Sequence, residues 1–175
     1  MTTARRLFGA VCASFYHIRF PGRISGHTFI LRRPGRISIK PDATVTIGEA
    51  CFIDKGARIV VSSSLVLGDN VYIGKNSTIV AMAPVTIGRG TLVGENVSIH
   101  SEDHGPPGKR LEYVTGPIQI GEHTWLGSGV VVLKGVTIGD RTTIGANSVV
   151  TRSVASDSLA VGVPAQIIKR FEATS

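Results

Sequence analysis

A six-residue spacing of aliphatic residues constrains the fold of this chain more than any other feature. In the C-terminal half these residues stand six apart without exception, at Ile120, Leu126, Val132, Ile138, Ile144 and Val150. The fifth position of each hexad is small or β-branched, at Thr124, Val130, Val136, Thr142, Ser148 and Val154. This spacing is not that of an α-helix, but it suits a solenoid of short strands. We therefore expect each strand to turn one large side chain into a narrow interior.

The same rhythm continues upstream in three triplets, each starting 20 residues after the last. The triplets are Ile47, Ile53 and Ile59, then Leu67, Ile73 and Ile79, then Ile87, Val93 and Ile99. Three hexads make one triangular coil of 18 residues, so the longer period predicts two extra residues at one corner of each early coil. Stacked coils pair their backbones along the axis. The sequence predicts an all-β, three-sided parallel β-helix over residues 37–170.

Composition agrees with a single soluble domain. Hydrophobic residues make up 42% of the chain and charged residues 18%, enough for a buried core. No stretch approaches the roughly 20 apolar residues of a membrane span. Cys12 and Cys51 form no metal-type pair, and we interpret both as small buried residues in a reducing compartment. A cytoplasmic location follows as an expectation.

The first 36 residues form a separate basic segment. Residues 1–41 hold eight Lys or Arg and no acid. Between Arg5 and Phe20 the apolar residues fall on one helical stripe, which predicts an amphipathic helix that caps the β-helix. Peripheral contact with an anionic membrane face is a second role for this segment. A secretory signal is disfavoured because no clean small-residue cleavage site follows.

The repeat breaks after Ile99, where residues 100–117 form a polar insertion rich in Pro and Gly. Such an excursion from a regular scaffold often carries binding or catalytic residues. His104 occupies the sixth position of the hexad that begins at Ile99, at the base of this extruded loop. Imidazole is a base of near-neutral pKa that accepts a proton from an attacking alcohol or amine. His104 is therefore the candidate catalytic residue.

These motifs resemble the hexapeptide-repeat acyltransferase superfamily, most closely the maltose, galactoside and polysaccharide-biosynthesis O-acetyltransferase group. The resemblance rests on His104 before the loop, the return Pro117-Ile118-Gln119-Ile120-Gly121, Trp125, and Gly162-Val163-Pro164-Ala165 near the end. It implies coils that wind left-handed, although parallel strands usually have right-handed crossovers. It also implies a homotrimer with each active site between two subunits. Gly105 follows His104 where many members have Pro.

The resemblance further implies acetyl-CoA as acyl donor and assigns roles residue by residue. His104 is the general base and the backbone N–H of Ser128 stabilises the oxyanion. The cofactor-contacting positions are Trp125, Ser128, Ala146, Thr151, Lys169 and Arg170. Gln166 stands where galactoside enzymes often have Arg. Asp103 and Glu102 orient His104, bind acceptor hydroxyls, or form a solvated acidic corner.

The expected activity is transfer of an acetyl group to a hydroxyl or amine of a sugar-like acceptor, in cell-surface polysaccharide or glycan modification. No metal is expected. One alternative is a zinc enzyme of the γ-carbonic anhydrase type, for which His100, His104 and His123 are the conceivable ligands. Another is a noncatalytic β-helix scaffold, because the fold alone does not define an activity. Nucleic-acid binding is disfavoured, since no recognition motif accompanies the N-terminal arginines.

Overall fold

The computed structural model describes residues 23–25, 29–32 and 35–172, and this part of the chain folds into β-strands and turns without a helix. None of its segments is a helix able to span a membrane. The predicted helix between Arg5 and Phe20 lies outside the described residues. In chain order the strands are β1 (Ile24–Ser25), β2 (Phe29–Leu31), β3 (Arg36–Ile39), β4 (Thr44–Ile47), β5 (Cys51–Ile53), β6 (Arg58–Val61), β7 (Ser64–Leu67), β8 (Tyr72–Ile73), β9 (Thr78–Ala81), β10 (Val85–Ile87), β11 (Leu92–Val93), β12 (Ser98–His100), β13 (Glu102–His104), β14 (Tyr113–Thr115), β15 (Ile118–Ile120), β16 (Trp125–Leu126), β17 (Val131–Val132), β18 (Thr137–Ile138), β19 (Thr143–Ile144), β20 (Val149–Val150), β21 (Ser158–Gly162) and β22 (Ala165–Arg170).

Three sheets form the three faces of a prism. Sheet 1 has the order β1-β4-β7-β10-β15-β18, sheet 2 the order β2-β5-β8-β11-β16-β19-β21-β22, and sheet 3 the order β3-β6-β9-β12-β17-β20. The chain visits sheets 1, 2 and 3 in turn, and neighbouring strands within a sheet are parallel until β22. The result is a left-handed parallel β-helix of about seven turns. The predicted fold is confirmed.

Strand registers confirm the predicted coil lengths. Leu65 pairs with Val85 and Tyr72 pairs with Leu92, each 20 residues apart. Beyond the insertion, Trp125 pairs with Thr143 at a spacing of 18. The extra residues of the early coils lie between sheets 3 and 1, at residues 62–63 and 82–84. The polar insertion leaves the prism at this same corner, which we call the insertion corner.

The aliphatic residues of the repeat form the core. All six downstream aliphatics and all nine upstream ones are buried, with 2% exposure or less. Corners are tight: a Cβ on Gly74 would lie 2.3 Å from the Gly94 carbonyl oxygen of the next coil. Asparagines such as Asn76 and Asn96 follow at positive φ, a conformation that Asn tolerates. The need for glycine at corners thus has a direct steric cause.

The solenoid begins earlier than the predicted boundary at residue 37. β1 and β2 already pair in parallel with β4 and β5, so part of the 1–36 segment belongs to the prism. Ile24 and Phe29 are buried there, which the sequence pattern missed because these early spacings are 21 and 22 rather than 20. At the other end β22 folds back antiparallel on β21. This hairpin caps the C-terminal end of the prism.

Cys51 confirms the prediction of a buried thiol, while Cys12 lies outside the described residues. The Sγ of Cys51 donates to the Gly68 carbonyl oxygen at 3.0 Å. Burial raises the pKa of the Cys51 thiol to about 11. The side chain therefore stays protonated and acts as a small core residue.

Candidate active site

The insertion is a β-hairpin rather than an irregular loop. β13 and β14 pair antiparallel, with Glu102 opposite Thr115 and His104 opposite Tyr113. At its base, the Gly116 N–H donates to the Ser101 carbonyl oxygen at 3.0 Å. The fully buried Ser101 hydroxyl accepts from the Ala83 N–H at 2.9 Å. The hairpin is therefore anchored to the coil below it.

His104 lies on the exposed hairpin with one ring nitrogen fixed. Its Nδ1 lies 2.7 Å from the Arg110 carbonyl oxygen, across the hairpin. A carbonyl oxygen only accepts hydrogen bonds, so this contact places the proton on Nδ1 and leaves the lone pair on Nε2. The Tyr113 ring lies beside it, with ring centroids 5.3 Å apart. This tautomer is the one that a general base requires.

Asp103 fixes the backbone at His104 and does not bind its ring. One carboxylate oxygen accepts from the His104 backbone N–H at 2.8 Å. The other accepts from Lys134 Nζ at 3.4 Å, from the next coil at the same corner. The His104 N–H and the Lys134 ammonium together lower the pKa of Asp103 below its usual range. Asp103 thus links the hairpin to the scaffold.

Glu102 contacts His100 and not His104. Its Oε1 lies 2.9 Å from His100 Nδ1, and its side chain is 13% exposed. The other oxygen, Oε2, is buried and has no hydrogen-bond partner among the described residues. This corrects the prediction that Glu102 orients His104. The His100 side chain is only 35% exposed and is paired with this carboxylate.

Several candidate acyl-CoA contacts lie together on the far side of the prism. Trp125 is 54% exposed on the outer face of sheet 2, so it is not a core residue. The register runs from Trp125 through Thr143 and Leu159 to Lys169, across four adjacent strands. This row, which we call the Trp125–Lys169 row, is about 14 Å long at the usual strand spacing. Lys169 Nζ also lies 5.4 Å from the Phe171 ring centroid.

The other predicted contacts lie at corners and at the end of the chain. Ser128 and Ala146 occupy the corner between sheets 2 and 3 on successive coils, and the Asn147 N–H donates to the Ser128 carbonyl oxygen at 2.9 Å. Among the described residues, no group accepts from the Ser128 N–H, which leaves this donor available. Thr151 follows β20 at the insertion corner. Arg170 pairs with Ser158 at the end of β22.

The single chain does not bring His104 and the Trp125–Lys169 row together. His104 leaves the prism between sheets 3 and 1, whereas the outer face of sheet 2 is opposite that corner. The three histidines of the zinc alternative are also divided, because His123 lies at the corner between sheets 1 and 2. Within the described part of the chain, no three His, Cys, Asp or Glu side chains meet as a metal site.

Sequence reasoning missed three contributors to this site: the Arg110 carbonyl, Lys134 and the His100–Glu102 pair. The alternation of His100, Glu102 and His104 was a usable signal, because alternate residues of an extended strand share a face. The other two depend on the hairpin turn and on stacking of the next coil. Neither is visible as a local pattern.

Family profiles match the two segments that flank the hairpin. The family described as bacterial transferase hexapeptide (six repeats) matches residues 117–152. The hexapeptide repeat of succinyl-transferase matches residues 64–101. Together with the fold described above, these matches make the chain similar to the hexapeptide-repeat acyltransferase superfamily on both sides of the hairpin.

Two curated relatives share one segment with this chain. A Staphylococcus aureus (strain COL) protein named as an acetyltransferase is 51% identical over 57 residues, which cover 33% of this chain and 29% of the relative. The galactoside O-acetyltransferase of Escherichia coli (strain K12) is 44% identical over 63 residues, covering 36% and 31% respectively. The match thus spans about a third of the length of these relatives.

Solved structures share the fold over most of the chain. A hexapeptide-repeat acetyltransferase of Vibrio cholerae, complexed with acetyl coenzyme A, has a TM-score of 0.62 and 24% identity, and the match covers 97% of this chain and 88% of that one. A mutant of the N-acyltransferase AntD of Bacillus cereus, with dTDP and coenzyme A, has a TM-score of 0.67 and 18% identity, covering 79% and 83%. PerB of Caulobacter crescentus, with CoA and GDP-perosamine, has a TM-score of 0.60 and 23% identity, covering 82% and 59%.

Proposed function

We propose that this protein transfers an acetyl group from acetyl-CoA to a hydroxyl or amine of a sugar-like acceptor. The observation that carries the proposal is the fixed imidazole of His104. Its Nδ1 is held by the Arg110 carbonyl on a hairpin that projects from a hexapeptide-repeat scaffold. The relatives named as acetyltransferases support the same reaction class.

The reaction needs no covalent enzyme intermediate. The acceptor oxygen or nitrogen gives its proton to His104 Nε2 as it attacks the thioester carbonyl carbon. The tetrahedral intermediate then collapses and the carbon–sulfur bond breaks. The thiolate of coenzyme A leaves and accepts the proton from the His104 imidazolium. The Nδ1 contact keeps the ring in place throughout. His104 acts as base and then as acid.

The negative oxygen of the intermediate needs a fixed donor. The Ser128 N–H is suited to this role because it belongs to an exposed residue and has no acceptor among the described residues. The Trp125–Lys169 row offers the pantetheine arm an apolar start and a cationic end. Ala146, Thr151 and Arg170 remain candidate contacts to acetyl-CoA.

A complete site requires two copies of the chain. Since His104 and the Trp125–Lys169 row lie on opposite sides of one prism, they meet only if neighbouring prisms pack side by side. A C3 homotrimer forms three such interfaces around one axis, and each chain takes part in two of them. We propose this assembly for the active enzyme.

For the acceptor, we propose a sugar or amino sugar of a cell-surface glycan. PerB binds GDP-perosamine, and the E. coli relative acts on galactosides, which supports a carbohydrate acceptor. A cytoplasmic enzyme with peripheral contact at the inner membrane face fits such a substrate, given the basic N-terminal segment.

The proposal is tested by measuring release of the coenzyme A thiol from acetyl-CoA with a panel of sugars and amino sugars. We expect turnover with at least one acceptor and a loss of about 10²-fold or more in His104→Ala, because the general base is removed. His123→Asn is the matched control, since His123 is exposed at a different corner. Equal rates for His104→Ala and the native chain would reject His104 as the base.

A further inference from the structure

The face of the hairpin that carries His104 also carries a second imidazole–carboxylate pair. Side chains of directly paired strand residues lie on the same face, and they alternate along each strand. Glu102, His104, Tyr113 and Thr115 therefore share one face, while Asp103 and Val114 take the other. His100 joins the first face through its 2.9 Å contact with Glu102. A base and a His–Glu pair thus lie two residues apart along one surface.

The burial of Glu102 is costly for a merely structural residue. One carboxylate oxygen is bonded to His100, but Oε2 is buried and unpaired among the described residues. Leaving a buried polar atom without a partner usually destabilises a fold, and an apolar residue of similar size avoids that cost. The hairpin already has other anchors in Ser101 and Asp103. The cost is explained if Glu102 is needed to hold the His100 ring.

The held ring has a free side. Because Glu102 Oε1 lies at His100 Nδ1, the other ring nitrogen, Nε2, points away from the carboxylate. The His100 side chain remains 35% exposed, so part of it is open to solvent. Two residues of extended strand separate the backbones of Glu102 and His104 by about 7 Å. That distance is on the scale of one sugar ring.

We infer that the His100–Glu102 pair is a specificity site that binds a second hydroxyl of the acceptor while His104 takes the proton from the acetylated group. His100 contacts the hydroxyl, and Glu102 is a positioning residue that acts through His100. Tyr113, with 55% of its surface exposed, supplies an aromatic face for the sugar ring beside the His104 imidazole. The inference rests on the proposed acetyltransferase activity and adds the acceptor feature that is recognised.

The test combines variants of the pair with deoxy analogues of the acceptor. The best acceptor from the sugar panel is compared with its monodeoxy derivatives in the thiol-release assay. In the native chain, removal of one particular hydroxyl is expected to raise the acceptor KM about tenfold, as for loss of one hydrogen bond to a polarised group. In His100→Gln and Glu102→Leu, the acceptor KM rises by a similar factor and that deoxy analogue carries no further penalty.

The Tm of the variants separates the specificity role of the pair from a merely structural one. Glu102→Leu removes the unpaired buried oxygen, so the specificity role predicts a Tm equal to or above that of the native chain and an unchanged KM for acetyl-CoA. Glu102→Gln keeps an oxygen for His100 Nδ1 and is expected to preserve selectivity. Glu112→Gln, at the exposed end of the same hairpin, is the control. A lower Tm in Glu102→Leu with unchanged acceptor selectivity would overturn the inference.

Failure of the inference is distinguishable from failure of the proposed function. If the native chain releases thiol with no sugar in the panel, the acetyltransferase proposal and this inference both fall. If the native chain is active and every variant discriminates the deoxy analogues as the native chain does, the inference alone falls.

Discussion

Cys51 lies inside the solenoid, with its thiol donating to the Gly68 carbonyl. Because burial raises its pKa to about 11, the reactive thiolate is scarce at neutral pH. We expect Cys51 to resist iodoacetamide at pH 8 in the native protein and to react once guanidinium unfolds the chain. Peptide mapping by mass spectrometry measures this. Rapid labelling of the native protein would contradict the buried position.

Because of the same thiol, the stability of the fold should decrease as the solution becomes alkaline. A group whose pKa is raised in the folded state stabilises the fold while it remains protonated, and that contribution is lost as pH rises through the folded value. For Cys51 the window runs from its usual value of 9.0 to about 11. The free energy of unfolding of the native chain, measured relative to that of Cys51→Ala, should therefore fall as pH rises through this window.

Single residues also show where sequence reasoning reached its limit. The position of His104 in the hexad identified it as the candidate base. The direction of Glu102 could not be inferred, because an acidic residue two positions from each of two histidines can face either one. Only the hairpin geometry decides this, by placing Oε1 at His100.

Among the elements, the corners between strands tolerate the least change. Gly74 lies at the corner between sheets 2 and 3, where a Cβ would lie 2.3 Å from the Gly94 carbonyl oxygen. We expect Gly74→Ala to destabilise the protein by about 1–3 kcal/mol, as overpacking does. Chemical denaturation with urea measures the change.

Lys75 provides the matched control at the next position. Its side chain is exposed and forms an ion pair with Glu95 at the surface. Lys75→Ala should therefore leave the urea midpoint nearly unchanged. If Gly74→Ala instead matched Lys75→Ala, the corners would be looser than the structure indicates.

The elements of the core were predictable because each strand repeats one rule. The aliphatic spacing located the inward positions from Ile47 to Val150, and all of them are buried. The first two strands escaped prediction because their coils contain one or two additional residues. The hairpin escaped as well, since β13 and β14 lack an apolar alternation and pair through their backbones.

At the scale of the whole molecule, the described strands pair with those of the adjacent coils, so stability should add coil by coil. Excising residues 64–83 removes one 20-residue coil and preserves the register between β4 and β10. We expect the shortened protein to keep its far-ultraviolet circular dichroism spectrum and to unfold cooperatively at a lower Tm.

A deletion that breaks the register is the control for this experiment. Removing residues 67–85 joins Val66 to Thr86 inside a strand, so that Thr86 takes the inward position of Leu67 and Ile87 turns outward. This variant should fail to give a soluble folded protein. If both deletions abolished folding equally, stacking of independent coils would not describe this molecule.

The anchoring of the hairpin at Ser101 and Gly116 has an evolutionary consequence. The strands below and above it, β10 and β15, pair directly with one another, so the prism closes without the inserted residues. An insertion of different length at this point leaves the packing of the aliphatic core unchanged. Under the proposed function, proteins built on the same coils can therefore differ in the acceptor they bind while keeping one surface for acetyl-CoA.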